Sequence, residues 1–299
     1  MSQSGSKKSV VAIGTFDGIH LGHRALLSAA CEQAKSRELT SIAYTFLKPP
    51  QNYLGTPKKL LMPPQTKLQL LQRLVDRVEI AEFLEIQPLS AEEFVSEILV
   101  NRLDISVLIA GEDFRFGRDR QGNISLLREL GNGLDFEVVV VPAVKINHES
   151  VSSTAIRSAL AGGDVERATR FLGARPRLWG EVVHGEGQAT QLGFPTANLA
   201  LDPDVLIPAL GIYAARVRFE ERSYPTALYI GSRPTFGGEG VSIEAHILDQ
   251  DKIDLYGQRL EVELFHRIRG DQRFSSADVL QKQICADIDA VRDYLLSTR

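Results

Sequence analysis

The hydrophobic pattern of this chain changes once along its length, and this change constrains the fold more than any other feature. Over residues 9–174, short apolar runs alternate with segments of helical spacing. Strands joined through helices require right-handed crossovers, so this half predicts a mainly parallel, doubly wound α/β sheet. After about residue 173, apolar residues recur at every second position, which predicts antiparallel strands. We therefore expect two domains, 1–174 and 175–299.

Regular elements can be assigned along the first half from apolar spacing. The expected strands are 10–16, 41–46, 78–84, 105–110 and 136–141, and the expected helices are 22–35, 66–75, 90–102, 123–130 and 164–172. Ser90-Ala-Glu-Glu93 is the pattern of a capping box, which opens a helix. The proline-rich segment that follows the second strand is a long loop, and such loops are often functional.

The second half predicts a small antiparallel barrel with one closing helix. In residues 211–219 one face carries Tyr213, Ala215, Val217 and Phe219, and in residues 260–268 one face carries Leu260, Val262, Leu264 and Ile268. Further strands are expected at 224–230 and 242–248, and the helix at 277–296.

Composition excludes several classes of protein. The net charge is −4 and neither half is strongly basic, so we expect no nucleic-acid partner. The two cysteines, Cys31 and Cys285, lie far apart without metal-ligand spacing, which fits a reducing compartment. The apolar run 10–13 is too short for a signal segment, and no run of about 18 apolar residues could span a bilayer. We expect a cytoplasmic protein without a membrane partner.

The first strand runs into the sequence GTFDGIHLGH, residues 14–23. Gly14 and Gly18 allow a sharp turn, and His20 and His23 then share one face of the first helical turn. A helix N-terminus favours phosphate, and two imidazoles there can donate hydrogen bonds to phosphate oxygens as a P–O bond breaks. The alternative is that His20 caps the loop and His23 is a surface residue.

Two more segments carry functional residue types in this half. In VSSTAIRSAL, residues 151–160, hydroxyls and Arg157 would converge on phosphates at a helix N-terminus, unless this is an ordinary capped helix. In GEDFRFGRDRQG, residues 111–122, the two phenylalanines line a ligand site or belong to the core.

With these motifs the chain resembles the bacterial bifunctional riboflavin kinase/FMN adenylyltransferases (FAD synthetases), whose nucleotidyltransferase signature is HxGH. The resemblance implies a Rossmann-like nucleotidyltransferase domain followed by a riboflavin kinase barrel. It implies catalytic roles for His20 and His23, and flavin contacts for Asp113, Phe114 and Phe116. It also implies ATP-binding residues in this half, namely Gly14, Phe16, Asp17, Gly18, His20, His23, Ser153, Thr154 and Arg157.

The second half contains HGEGQATQLGFPTAN, residues 184–198. Thr196 and Asn198 point the same way in an extended segment, and their oxygens can hold Mg²⁺, although Gly-Phe-Pro-Thr is also a common turn. GFPTAN resembles the riboflavin kinase signature. This implies that Glu244 in SIEAHILD is the catalytic base, that Glu244 and Arg233 contact flavin, and that Mg-ATP binds at Gly185, Gly187, Gly193, Pro195, Thr196 and Asn198.

The chain departs from the family pattern at three places. Family members often carry His-Pro after the second strand, where this chain has TFLKPPQNY and Lys48 as a substitute charge. The glycine loop carries Gln188-Ala189-Thr190 in place of a basic residue, and Tyr229 replaces the usual asparagine before Ile-Gly. We expect altered nucleotide affinity in the second domain.

The sequence therefore predicts an enzyme that phosphorylates riboflavin to FMN and adenylylates FMN to FAD with release of pyrophosphate, using Mg²⁺ as Mg-ATP. Two alternatives stay open: a riboflavin kinase with a weak first domain, which the missing His-Pro favours, and a non-catalytic flavin sensor. The intact His20, His23, Arg157 and Glu244 disfavour the sensor. A homo-oligomer has no support from the sequence, which leaves the oligomeric state open.

Overall fold

The chain folds into two compact units. The computed structural model describes residues 8–185, 192–235, 238–250 and 255–298. The first unit comprises Met1–Leu60 and Pro64–Ser153, and the second comprises Leu61–Pro63 and Thr154–Arg299. Residues 154–174 thus group with the second unit, and the domain boundary near 174 stays a prediction.

The first unit is built on a five-stranded parallel sheet in the order β3-β2-β1-β4-β5, which confirms the predicted fold class. Its strands are β1 Ser9–Ile13, β2 Thr40–Thr45, β3 Arg77–Ile80, β4 Ile105–Gly111 and β5 Glu137–Val141. Its helices are α1 Leu21–Arg37, α2 Pro64–Leu71, α3 Phe83–Ile86, α4 Ala91–Glu93 and α5 Ile124–Leu134. A small hairpin joins β6 Lys145–Ile146 to β7 Glu149–Ser150.

The central strands are apolar along their whole length because both faces of the sheet are covered. Val10, Val11 and Ala12 of β1 have no exposed surface, and neither do Leu108 and Ile109 of β4. Strands of a parallel sheet have this composition when helices cover both sides. The carboxyl ends of β1, β2 and β4 meet at one edge of the sheet, where the loops with the candidate residues begin.

Several expected boundaries differ from the structure, and the clearest cases lie in the first unit. β1 ends at Ile13 and not at Phe16, because Phe16 has a left-handed φ of 50° that a strand cannot accommodate. The end of the expected strand 78–84 is helical, since Phe83 begins α3. The capping box of Ser90 and Glu93 is confirmed, but the helix that it opens continues as a π-helix over Phe94–Arg102.

The second unit contains a closed antiparallel barrel in the order β10-β11-β12-β9-β8-β13, as predicted. Its strands are β8 Arg177–Val183, β9 Ala197–Leu201, β10 Gly211–Phe219, β11 Arg222–Thr235, β12 Gly238–Ile247 and β13 Arg259–Gly270. The helices of this unit are α6 Ser153–Gly162, whose first residue belongs to the first unit, α7 Val165–Leu172 and the closing helix α8 Ala277–Ser297. In the described ranges no helix is both long and apolar enough to cross a membrane.

The expectation that Ile268 shares a face with Leu260, Val262 and Leu264 is wrong. Those three leucine and valine side chains fill the barrel interior, whereas Ile268 packs on the cluster beneath α8. The pairing of β13 with β10 skips Phe265 and Ile268, so two bulges interrupt the alternation of sides.

An ion pair attaches α8 to the barrel. Arg269 of β13 donates from Nε and Nη2 to the two carboxylate oxygens of Asp287, at 2.8 and 2.6 Å. The Asp287 side chain is only 6% exposed and that of Arg269 18%. The hydrogen bonds to Asp287 raise the pKa of Arg269, so the guanidinium stays charged.

We expect Asp287→Ala to lower the free energy of unfolding of the barrel by about 3 kcal/mol, because it leaves a buried guanidinium unpaired. Urea unfolding followed by the fluorescence of Trp179, the single tryptophan of the chain, reports on this unit from β8. The control is Asp289→Ala, because that carboxylate is 75% exposed and its pair with Arg292 contributes little. Equal losses in the two variants would contradict a structural role for the buried pair.

Candidate active sites in the two units

The turn between β1 and α1 is buried and strained. Phe16 and Ile19 have positive φ angles of 50° and 41°, and Gly18 has 86°. Phe16, Asp17 and His20 are at most 5% exposed. Such backbone persists only when its surroundings hold it in place.

Hydrogen bonds from several elements hold this turn. The carbonyl of Asp17 accepts a hydrogen bond from the Ser153 hydroxyl at 2.9 Å, and that of Ile19 accepts one from Arg24 Nε at 3.2 Å. The Thr15 carbonyl accepts from the Thr45 hydroxyl and from the Lys67 ammonium, both at 3.2 Å. The path of the chain into α1 is therefore fixed by side chains of other segments.

The two histidines lie stacked at the start of α1. Their ring centroids are 3.6 Å apart with an interplanar angle of 16°, and His20 Nδ1 accepts a hydrogen bond from the His23 amide. Because Nδ1 of His20 is an acceptor, its proton lies on Nε2. A Cβ at Gly22 would lie 3.2 Å from the His20 ring, which explains why glycine separates the histidines. The prediction that the two imidazoles share one face is supported by this geometry.

His23 is a neutral imidazole at neutral pH. Burial lowers its pKa well below 6.5, and the charges of His20 and Lys67 lower it further. Its ring meets Phe16 edge-on at 5.3 Å. His23 Nδ1 is buried and has no hydrogen-bond partner within the described residues. The ring can therefore donate one hydrogen bond to a ligand, but it does not bring a positive charge.

Lys67 of α2 is a buried cation that sequence analysis missed. Its side chain is 3% exposed, and Nζ donates to the carbonyls of Thr15, Phe46 and Leu47. Burial lowers its pKa to about 8, although Asp17 opposes this shift. Lys67 shares its helix face with the buried Leu71, and a lysine on an apolar face was the signal available in the sequence.

The other residues expected to bind ATP are divided between the two units. Ser153 begins α6 and lies against Asp17 in the first unit. Thr154 and Arg157 follow in the first turns of α6 and group with the second unit. Gly14 donates its amide to the Tyr44 carbonyl, which joins the ends of β1 and β2.

The segment after β4 forms a compact turn. Phe116 is 6% exposed and packs in the core beside Phe94, and a Cβ at Gly122 would collide with its ring at 2.6 Å. Phe114 stacks on Phe116 with a centroid separation of 5.6 Å and is only partly buried. Asp113 is exposed. Of the three residues expected to contact flavin, Phe116 is therefore buried in the core, where Phe94, Phe114 and Gly122 surround its ring.

In the second unit a row of residues crosses three neighbouring strands. Asn198 of β9 is paired with Glu244 of β12, which is paired with Tyr229 of β11. Paired residues in an antiparallel sheet point to the same side. The Glu244 carboxylate accepts hydrogen bonds from the hydroxyls of Thr196 at 3.0 Å and Ser242 at 2.9 Å. These contacts bring together Thr196, Asn198 and Glu244, which the sequence had placed in one site.

Residues of the neighbouring loops fit closely around this row. A Cβ at Gly185 would lie 2.0 Å from the Asn198 amide nitrogen, so only glycine fits there. Gly193 has a φ of 93°, which favours glycine. His246 Nδ1 lies 2.8 Å from the Pro195 carbonyl and supports the turn before Thr196. Gly187 and the side chain of Arg233 lie outside the described residues.

A cavity of about 290 Å³ adjoins the row between the barrel and α8. The polar groups in its lining include Thr196, Glu244, Tyr229 and Asp271, together with Arg269 and Asp287 of the ion pair. The remaining wall is mostly apolar and includes Leu192, Phe194, Ile212, Phe274, Leu280, Ile284 and Ile288. A cavity with this division suits a flat aromatic ligand that carries a polar chain.

Tyr229, where the family pattern has asparagine, closes part of this cavity. Its hydroxyl donates to Asp271 at 3.1 Å, and its ring lies over Gly231, where a Cβ would be 1.9 Å from the hydroxyl. Burial raises the pKa of Tyr229 to about 12, and Asp271 contributes to the shift. The phenol therefore stays protonated and donates to Asp271.

Comparisons with known proteins agree with this architecture. The model of the FAD synthetase family matches residues 2–155, and the riboflavin kinase model matches residues 172–295. The bifunctional riboflavin kinase/FMN adenylyltransferase of Escherichia coli K12 is 36% identical, covering 100% of this chain and 96% of the relative. The enzyme of the same name from Pseudomonas fluorescens is 38% identical, with 95% and 92% covered.

A solved structure shares the fold of nearly the whole chain. The crystal structure of a macrolide-efflux protein from Streptococcus pneumoniae matches with a TM-score of 0.84 and 32% identity, covering 98% of this chain and 95% of that one.

A parallel-sheet unit with stacked histidines after its first strand, joined in one chain to a barrel that brings together Thr196, Asn198 and Glu244, is typical of a two-domain nucleotide-dependent transferase. With full-length relatives at this identity, the chain belongs to the family of bifunctional riboflavin kinase/FMN adenylyltransferases. It is an enzyme with both activities, which confirms the predicted function and removes the kinase-only and sensor alternatives.

We expect the imidazole resonance of His23 to titrate well below pH 6.5 in the folded protein and near about 6.5 in concentrated urea, as followed by NMR. Between these two pKa values the unfolded chain binds more protons. The contribution of His23 to the free energy of unfolding is therefore lost as the pH falls through this window. A midpoint at or above 6.5 in the folded protein would contradict the buried, neutral imidazole.

Proposed function

We propose that the two units divide the two reactions, with riboflavin phosphorylation in the barrel and FMN adenylylation in the parallel-sheet unit. The observation that carries this proposal is that each unit contains its own set of polar groups suited to phosphate. The set is His20 and His23 in the first unit, and Thr196, Asn198 and Glu244 in the second.

In the first unit, a phosphate oxygen of FMN attacks the α-phosphorus of ATP. The new P–O bond forms as the bond to the β-phosphate oxygen breaks, and pyrophosphate leaves with that electron pair. His20 and His23 donate hydrogen bonds to the oxygens on which negative charge grows. Because His23 is neutral, its contribution is a directed N–H group and not a full charge. The geometry of the stack therefore matters more than its protonation.

The remaining contacts in this unit are assigned by position. Asp17, Gly18 and the Ser153 hydroxyl lie around the buried turn and would bind ATP beside the histidines. Thr154 and Arg157 in the first turns of α6, which group with the second unit, are further proposed ATP-binding residues. Phe114, which presents a partly exposed ring, and Asp113 would contact the flavin. Phe116 would hold the Phe114 ring in place from its buried side, because the two rings are stacked.

In the barrel, the terminal ribityl hydroxyl of riboflavin attacks the γ-phosphorus of ATP. Glu244 takes the hydroxyl proton as the new P–O bond forms, and ADP leaves with the electrons of the broken bond. The two hydroxyls that donate to Glu244 fix the orientation of its carboxylate. The apolar wall of the cavity would hold the flavin ring, and Arg233 is a further proposed flavin contact.

The residues of the barrel fit a magnesium ion. Thr196, Asn198 and Glu244 offer only oxygen ligands with a single carboxylate, which suits Mg²⁺ held largely by ATP phosphates. Within the described residues no group of three or more His, Cys, Asp or Glu could hold a metal alone. The ion, when bound, neutralises phosphate charge, and Thr196 and Asn198 would be its protein ligands.

The cellular setting is also a proposal. We place the enzyme in the cytoplasm with riboflavin, FMN, ATP, FAD and pyrophosphate as its small-molecule partners, and without nucleic acid or membrane. The free thiols of Cys31 and Cys285 and the net charge of −4 support this placement.

The two reactions should be separable by substitution. We expect the rate of FAD formation to fall by about 100-fold or more in the double variant His20→Ala, His23→Ala, while this variant still makes FMN. Glu244→Gln should lose FMN formation by a similar factor and still convert added FMN to FAD. Purified protein with ATP and Mg²⁺ would be given riboflavin or FMN, and the flavins separated by chromatography.

His266→Gln and His148→Gln serve as controls for the loss of a histidine in each unit, since neither ring is assigned a chemical role and His266 lies against Glu166, outside the lining of the cavity. Loss of both products in either site variant would contradict the division of reactions between the units. FAD formation at the normal rate in the double histidine variant would contradict the proposed role of the stack.

A further inference from the structure

We propose that Lys67 is a positioning residue for adenylyl transfer, which joins the loops after β1 and β2 and thereby sets the place of the histidine stack. This inference rests on the assignment of FMN adenylylation to the first unit. Lys67 does not touch the reacting atoms and acts through the backbone. It follows the proline-rich loop and lies outside every motif considered in the sequence.

The hydrogen bonds of Lys67 are complete. An ammonium group has three N–H donors, and the three acceptors are the carbonyls of Thr15, Phe46 and Leu47. Thr15 belongs to the loop after β1, and Phe46 and Leu47 to the loop after β2. One buried side chain therefore links the carboxyl ends of two adjacent parallel strands, at the edge of the sheet where ligands bind.

The loop after β1 requires such a support. Its residues Phe16 and Ile19 have left-handed backbone angles that are strained for residues other than glycine, so surrounding groups have to hold the native path. Ser153 and Arg24 hold the carbonyls of Asp17 and Ile19, but Lys67 and Thr45 hold the first carbonyl of the turn. The Thr45 hydroxyl, at the end of β2, also lies 3.4 Å from the Phe46 carbonyl, whereas Lys67 bonds the carbonyls of both Phe46 and Leu47 from a different element, α2.

A charged group is better suited to this task than a neutral one. Its hydrogen bonds to carbonyls are stronger than neutral ones, and a buried ammonium is tolerated only when its donors are satisfied. The charge of Lys67 also acts on the histidine stack. The pKa of His23 is lowered mainly by burial, then by His20, and in third place by Lys67. Asp17, 2% exposed, provides the opposite charge on the same loop.

The enzyme provides its own control for a test. We expect Lys67→Met to lower kcat for FMN adenylylation by about 100-fold, since a displacement of catalytic groups by about 1 Å has that effect. The KM values for ATP and FMN should stay within about threefold, and riboflavin kinase kinetics should not change. Lys67→Arg, which keeps the charge but not the ammonium geometry, should lie between Lys67→Met and the wild type.

The matched control is Lys35→Met, because Lys35 is an exposed lysine in the last turn of α1, at the far end of that helix from the histidines. Circular dichroism and thermal unfolding would establish that each variant is folded. If Lys67→Met does not fold, Lys67→Arg decides, and a lowered kcat with retained KM values supports the proposal.

Wild-type kcat for adenylylation in a folded Lys67→Met variant would overturn the proposal, as would wild-type kcat in Lys67→Arg if only that variant folds. A loss confined to KM, or a parallel loss of the kinase reaction, would also overturn it. The double histidine variant separates the two claims. If the double histidine variant keeps FAD synthesis, the assignment of the site fails. If the double histidine variant loses FAD synthesis while Lys67→Met keeps it, only the positioning role of Lys67 is rejected.

Discussion

The buried turn between β1 and α1 must have its backbone carbonyls hydrogen-bonded by protein donors, and the proposed adenylylation site depends on how this is achieved. Each carbonyl left unpaired in such a place would cost about 1–3 kcal/mol. Lys67, Ser153 and Arg24 provide donors from three different segments. The same hydrogen bonds that make the turn stable also determine where α1 begins, and His20 and His23 follow from that start.

The proposed kinase site is positioned by a different means. Strand register places Asn198, Glu244 and Tyr229 side by side, so the barrel itself sets their spacing. The Arg269–Asp287 pair then holds α8 against the barrel and closes the cavity beside them. One unit thus builds its site from a strained turn and the other from a regular ladder.

The sequence allowed much of this architecture to be predicted, because it depends on local patterns. Continuous apolar runs marked β1 and β4, and the Ser90 capping box marked a helix start. The features that were missed depend on distant contacts. The bulge at Ile268 arises from pairing with β10, and the short strand β9 has only five residues with no clear alternation. The position of Lys67 on the apolar face of its helix was a signal that it is buried, but its partners are backbone carbonyls of distant segments, which no sequence pattern identifies.

The most direct test of the histidine site is a crystal structure of the enzyme with FMN and a non-hydrolysable ATP analogue, α,β-methylene-ATP. We expect Nε2 of His20 and of His23 to lie within about 3 Å of phosphate oxygens of the analogue. We also expect the Lys67 ammonium to keep its hydrogen bonds to Thr15, Phe46 and Leu47. An analogue whose phosphates bind away from both imidazoles would contradict the assignment of adenylyl transfer to the histidine stack.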